Sequence, residues 1–192
     1  MKTTLQQIRD KTPRGESFDK LLKNLENKKV DEKPLSIITI LDSNGLDDAL
    51  WYLIAVKGYD REIRLYGVWC ARQAQHLITD KRSIAAIDIA ERFAKGQATR
   101  QELEDAKYSA LDAAWTPAWN IAFNVTSYDA WDAAFSTANS AARAIANAHS
   151  VHSEKNALFD AVRSDQEKHL RELCESINNQ GKKCIGANPN RV

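Results

Sequence analysis

No stretch of the 192 residues approaches the roughly 18 consecutive apolar side chains that a membrane span requires. The amino-terminal MKTTLQQIRDKTPRG carries no apolar run of the secretory kind, so no signal peptide or anchor is expected and the cytoplasm is the default compartment. Cysteine is scarce: Cys70, Cys174 and Cys184 make an odd count without an export signal, which argues against a disulfide framework and predicts reduced thiols. Neither sign of charge dominates, since the formal total is +1. That balance lacks both the basic stripe of a duplex-binding domain and the acidity of a DNA mimic, so nucleic acid is unsupported as a partner. The signatures GxSxG, GxxxxGK[ST], HExxH and GxGxxG are also missing.

What charge there is lies unevenly. Residues 1–34 hold nine Lys/Arg against six Asp/Glu, residues 181–192 hold three against none, and the middle holds fifteen against twenty. With 43% hydrophobic residues the chain is apolar enough to fold, and its length suits a single domain. The composition suggests amino-terminal helices and linker over 1–34, a helical domain over 35–180 and a flexible basic tail over 181–192.

Helix punctuation predicts an all-α fold of about seven or eight helices. Leu5 and Ile8 suggest a short helix stopped by Pro13 and Gly15. Ser17 precedes Phe18, Leu21, Leu22 and Leu25 on one face, giving a helix over 17–28 and then a charged linker. Residues 34–41 are β-branched enough for a strand; lacking a second strand to pair with, they are read as helix. Asp42, Ser43 or Asn44 can cap a helix over 46–57, with Asp47 and Asp48 in its first turn and Gly58 at its end. Asp60 can cap the next, where Ile63, Gly67, Cys70, Ala74 and Leu77 recur at three or four residues. A helix over 83–95 closes at Gly96, and Thr99 with Glu102 forms a capping box for another.

Beyond Tyr108 the composition shifts. Between Leu111 and Ala142 there are three acids, no Lys or Arg, many alanines, and Trp115, Trp119, Phe123, Tyr128, Trp131 and Phe135. A short repeat runs through this segment: YSALDAAW from Tyr108 to Trp115 returns as YDAWDAAF from Tyr128 to Phe135. Its twenty-residue offset would turn the second copy about 200° from the first on one straight helix, so breaks are expected at Thr116-Pro117 and near Thr126 or Ser127. Tyr128, Trp131, Phe135, Ala138, Ala142, Ile145 and His149 then form the expected packing seam, followed by a helix over 153–179 ended by Gly181.

The blocks ILDSNGLDDALW (Ile40 to Trp51), GYDREIRLYGVWCARQAQHL (Gly58 to Leu77) and RSIAAIDIAERFAKG (Arg82 to Gly96) resemble a family of phage and bacterial helical proteins labelled immunity proteins. Members continue into Ala- and Trp-rich repeats such as AAWDAA, of which LDAAW and WDAAF here look like a degenerate form. The resemblance covers roughly residues 17–145; Pro117 and the small number of repeats depart from it. It implies a role in conflict, by stoichiometric binding of a toxin, host or defence protein, and brings no catalytic residues.

The residues themselves leave three roles open. The partner-binding candidates are Asp47, Asp48, Asp60, Arg61, Trp69, Arg72, His76, Trp115, Trp119 and Trp131, because Trp and Arg commonly anchor interfaces. The bland reading makes them caps, inter-helix ion pairs and core. Under an enzyme reading, Asp47, Asp60, Arg72 and His76 would converge on a small ligand. A third reading makes the aromatic segment the surface of a homo-oligomer. His149 and His152, with Asn156 or Asp160, fall short of the three or four converging ligands of a zinc site. Cys70 and His76 lie about 240° apart on one helix and do not form a nucleophile and base. Neither metal nor cofactor is expected.

Overall fold

The computed structural model describes residues 1–12, 15–26, 30–112, 119–149 and 151–186, the side chains of 152–153 and 180–186 excepted. The fold is all-α: ten α-helices stand among the described residues, against the seven or eight expected, with one two-residue antiparallel ladder. The chain gathers into two compact units, residues 1–56 with 167–192, and residues 57–166.

The first unit opens with β1 (Lys2–Thr3), which pairs with β2 (Leu35–Ser36) in the register Lys2 to Ser36 and Thr3 to Leu35. This corrects the all-helical reading of 34–41. The missing partner strand is the amino terminus, two residues long and therefore without visible alternation. The helix begins only at Ile37, after the Ser36 hydroxyl caps the Ile38 amide at 3.2 Å. Between the strands lie α1 (Leu5–Lys11), capped by Thr4, and α2 (Glu16–Asn24), whose N-cap is Gly15 rather than Ser17.

Helix α3 (Ile37–Asn44) meets α4 (Leu46–Trp51) at Gly45, and a φ of +92° there explains a glycine in place of the polar cap expected at 42–44. Asn44 is buried instead. The expected helix over 46–57 is shorter: α4 stops at Trp51 and tightens into a 3₁₀ turn over Tyr52–Ala55. Leu5, Ile8, Leu21, Ile37, Ile40, Leu50 and Leu53 build this unit's core with Leu170 and Cys174 of the last helix.

The second unit is organised by α5 (Asp60–Gln73) and α9 (Ala130–Ala148). Asp60 is the first helical residue and Tyr59 the N-cap, so Asp60 acts through the helix dipole rather than as the cap. The face that α9 buries is not the aromatic seam expected. Ala130, Ala133, Ala134, Thr137, Ala138, Ala141 and Ala142 are buried, whereas Trp131, Phe135 and Ile145 are half-buried and Tyr128 and His149 exposed. Small side chains permit backbone to meet backbone: a Cβ on Gly67 would lie 2.9 Å from the Ala133 carbonyl oxygen and 3.1 Å from Ala134 Cα. The aromatics flank this contact, since rings placed within it would hold the helices apart.

One buried group on α9 has no partner, the Thr137 hydroxyl. Valine keeps the shape and removes the unmet donor, so Thr137→Val should leave the fold intact and raise stability by about 1 kcal/mol, read as a later urea midpoint at unchanged slope. A loss of stability would mean that the hydroxyl is bonded.

Helix α6 (Lys81–Ala94) begins at the Asp80 cap, and α7 (Arg100–Asp112) begins at the capping box read from the sequence. The Thr99 amide donates to Glu102 at 2.7 Å and the Glu102 amide to Thr99 Oγ1 at 3.2 Å. Helix α8 (Trp119–Val125) leads through Thr126 and Ser127 into α9. The break proposed at Thr116-Pro117 lies outside the described residues, as does Trp115. The last helix, α10 (His152–Gly186), does not stop at Gly181 as expected. It buries Gln166, Leu170 and Cys174, a narrower stripe than the expected Leu158, Val162, Leu170, Leu173 and Ile177. Beyond Gly186 the expected basic tail lies outside the described residues.

Candidate functional site

The polar residues singled out in the sequence separate by role. Asp48 is internal to the first unit: it accepts from the Ser17 hydroxyl and, at 2.8 Å, from Asn44 Nδ2, while the same Asn44 amide reaches the Ser17 carbonyl at 3.1 Å. These bonds tie α2 to the α3–α4 junction. Asp47 is exposed in the same unit.

In the second unit Arg72 joins α5 to α6, its guanidinium at 2.7 Å from Asp88 and 2.8 Å from Glu91, with Gln75 also accepting at 2.7 Å. Hydrogen bonds from Lys95 and Arg72 hold the Glu91 carboxyl below its ordinary value. Arg72 therefore does not turn to His76, which stands exposed on a 3₁₀ turn over Gln75–Leu77. The guanidinium is held by the acids of α6 and by Gln75, since ionised carboxylates are the stronger acceptors. Trp69 is half-buried and stacked on Tyr66, ring centroids 6.3 Å apart, and Trp119 tilts against Phe123 at 5.7 Å. Trp131 is half-buried on the flank of α9.

Asp60 and Arg61 do reach a concave surface. A cleft of about 310 Å³ is lined by them with Arg64, Phe93, Ala94, Tyr128, Asp129 and Ala130. Its floor is set by Arg64, only 4% exposed, whose guanidinium donates to the Ser127 carbonyl at 2.6 Å and the Tyr128 carbonyl at 2.5 Å and lies 5.0 Å over the Phe93 ring. Burial pulls the Arg64 guanidinium below its ordinary value while Asp60 and Asp129 act in the opposite direction. It stays charged at neutral pH.

Tyr128 also borders a second cleft, about 130 Å³, with Arg100, Leu103, Glu104, Lys107, Tyr108 and Thr126. Tyr108 and Tyr128 head the two copies of the sequence repeat, and here they meet on one cleft, 58% and 50% exposed. Arg100 lies 3.5 Å over the Tyr128 ring and Lys107 4.5 Å over that of Phe123. Leu111, one turn beyond Tyr108, is 45% exposed. None of Arg100, Lys107 and Tyr108 stood among the sequence candidates. The repeat contained the signal, since its first position is tyrosine both times. Its meaning requires knowing that α7 and the α8–α9 connection adjoin.

Cys70 is buried, its thiol pushed up to about 12 by burial, so no thiolate is present to act as a nucleophile. Ellman's reagent should leave it unmodified in native protein and titrate it on unfolding; native modification within minutes would contradict its burial. Among the described residues no group of three or more His, Cys, Asp or Glu side chains is placed to hold a metal. His152 lies outside the described side chains; His149 faces Glu154 at 3.7 Å. No helix among the described residues is long and apolar enough to cross a membrane. Compared with protein families, with curated proteins and with solved structures, the chain matches none.

Proposed function

We propose that the chain acts by stoichiometric binding of a partner protein through the face of its second unit that carries Tyr108 and Tyr128. The resemblance to immunity proteins makes the partner a toxin, host or defence protein. The supporting observation is the pair of exposed tyrosines on one cleft, with Arg100 and Lys107 beside them. Tyrosine and arginine are the side chains that most often dominate binding energy, combining a rigid apolar ring with donors at its edge. Arg64 fixes the backbone at Tyr128, so little ordering remains to be done on binding.

The test is affinity capture from lysate of the cell in which the chain is made, comparing wild type with Tyr108→Ala/Tyr128→Ala. A stoichiometric partner should be retained by wild type and weakened about 30-fold or more by the double substitution, with unchanged circular dichroism. Equal retention by both, or no partner at all, defeats the reading. Exposed Leu111 beside Tyr108 favours a second reading, in which the face meets another copy of the chain. Light scattering across concentration separates the two, because a strict monomer rules out assembly.

A further inference from the structure

Arg100 and Lys107 differ from other cations of the same unit in what faces them. Arg72 closes on Asp88 and Glu91, Arg82 on Asp80, Arg92 on Glu102, and Lys95 on Glu91. Arg100 has the face of Tyr128 and Lys107 the face of Phe123, and among the described residues neither forms an ion pair with a carboxylate. A ring face attracts the cation through its quadrupole and accepts none of the in-plane guanidinium N–H groups, so those donors stay available. It also restricts a long side chain to one place, which removes part of the ordering cost that a surface arginine pays on binding. Glu104 lines the same cleft, leaving two cations to one anion there. The Tyr108 ring supplies apolar surface alongside them.

We propose that this cleft recognises an acidic segment of the partner protein, one Glu or Asp carboxylate held between Arg100 and Lys107 with a neighbouring apolar side chain against Tyr108. The proposal rests on the protein-binding reading and names the chemistry of the partner's surface. Charge complementarity selects that chemistry: two cations already seated on rings gain most from an anion with two oxygen acceptors. The apolar ring beside them favours a polypeptide segment over a bare ion.

The 192-residue chain, labelled with ¹⁵N, would be titrated at low salt with the capped peptide Leu-Glu-Phe-Glu-Leu, its glutamine counterpart Leu-Gln-Phe-Gln-Leu, inorganic phosphate and a DNA duplex. The glutamate peptide should saturate shifts at the amides of Arg100, Lys107, Tyr108 and Tyr128, and the glutamine peptide should bind at least about tenfold more weakly. Arg100→Gln/Lys107→Gln should abolish the shifts, and Arg143→Gln, an exposed control outside the cleft, should keep them. Equal binding of the two peptides overturns the proposal, as does no binding of either. Phosphate or duplex binding the same amides more tightly than the peptide overturns it in favour of a phosphate ligand. Failure of the proposal and failure of the wider reading are distinguishable in the capture experiment. If Arg100→Gln/Lys107→Gln retains the partner and Tyr108→Ala/Tyr128→Ala loses it, acid recognition is wrong and protein binding stands; if both variants retain it, both fall.

Discussion

Gly67→Ala should destabilise the second unit by about 1–3 kcal/mol, although alanine is the better helix former by about 1 kcal/mol. The sign is decided by what the new methyl meets. Its nearest neighbours are the Ala133 carbonyl oxygen at 2.9 Å and carbonyl carbon at 3.1 Å, both backbone, and no rotamer change removes a backbone atom. Helices α5 and α9 must therefore part along their contact, and the alanines of α9 are too short to fill the gap. Gly67→Val adds two further methyl groups and a stiffer χ1, so its loss should exceed that of alanine and leave the unit largely unfolded at 37 °C. Urea denaturation followed by circular dichroism measures both variants. Alanine equal to or more stable than wild type would show that the helices are not in backbone contact at this point.

Replacing Arg64 should have the next largest effect. Arg64→Met keeps the aliphatic stem and removes the guanidinium, leaving the Ser127 and Tyr128 carbonyls without their donor and the Phe93 face without its cation. Charge-assisted hydrogen bonds contribute about 1.5–3 kcal/mol each, and the cost of having buried the charge is recovered in part. A net loss of about 2–3 kcal/mol is expected, with broadened amide resonances from Thr126 to Ala130. Arg64→Lys should regain only part, because a single ammonium cannot reproduce the planar fork on two successive carbonyls. Full stability in the methionine variant would show that the α8–α9 connection holds itself.

The capping box at Thr99 and Glu102 and the glycine stop at Gly96 were legible because each is fixed by atoms within one turn of the chain. The core residues of α5 were legible for a related reason, since Ile63, Gly67 and Cys70 follow one periodicity; Ala74 is buried just past the helix end, and Leu77, expected in the same series, is only half-buried on the 3₁₀ turn. What periodicity does not contain is the size of the neighbour. On α9 it favoured the large side chains as the contact, whereas the neighbour is the bare backbone at Gly67, which selects alanines. The β1–β2 ladder was hidden because two residues cannot display an alternation.

The candidate site was legible in the same uneven way. Asp60 and Arg61 border a cleft, but Asp48 and Arg72 hold helices together, as charged residues near helix ends often do. Arg100 and Lys107 escaped notice because nothing adjacent in sequence marks a cation that will sit on a ring twenty-eight or sixteen residues away. Only the folded chain brings those pairs together.

Unit one is assembled from both ends of the chain, residues 1–56 and the helical segment from Glu167 that supplies Leu170 and Cys174 to its interior. A ribosome consequently delivers the two units out of order. All of residues 57–166 has been made before Leu170 and Cys174 are added, so the earlier-made stretch waits for them through the synthesis of that whole insert, on the order of ten seconds at ordinary elongation rates. Until then the interior of that stretch lacks the two side chains, Leu170 and Cys174, that complete it in the folded unit.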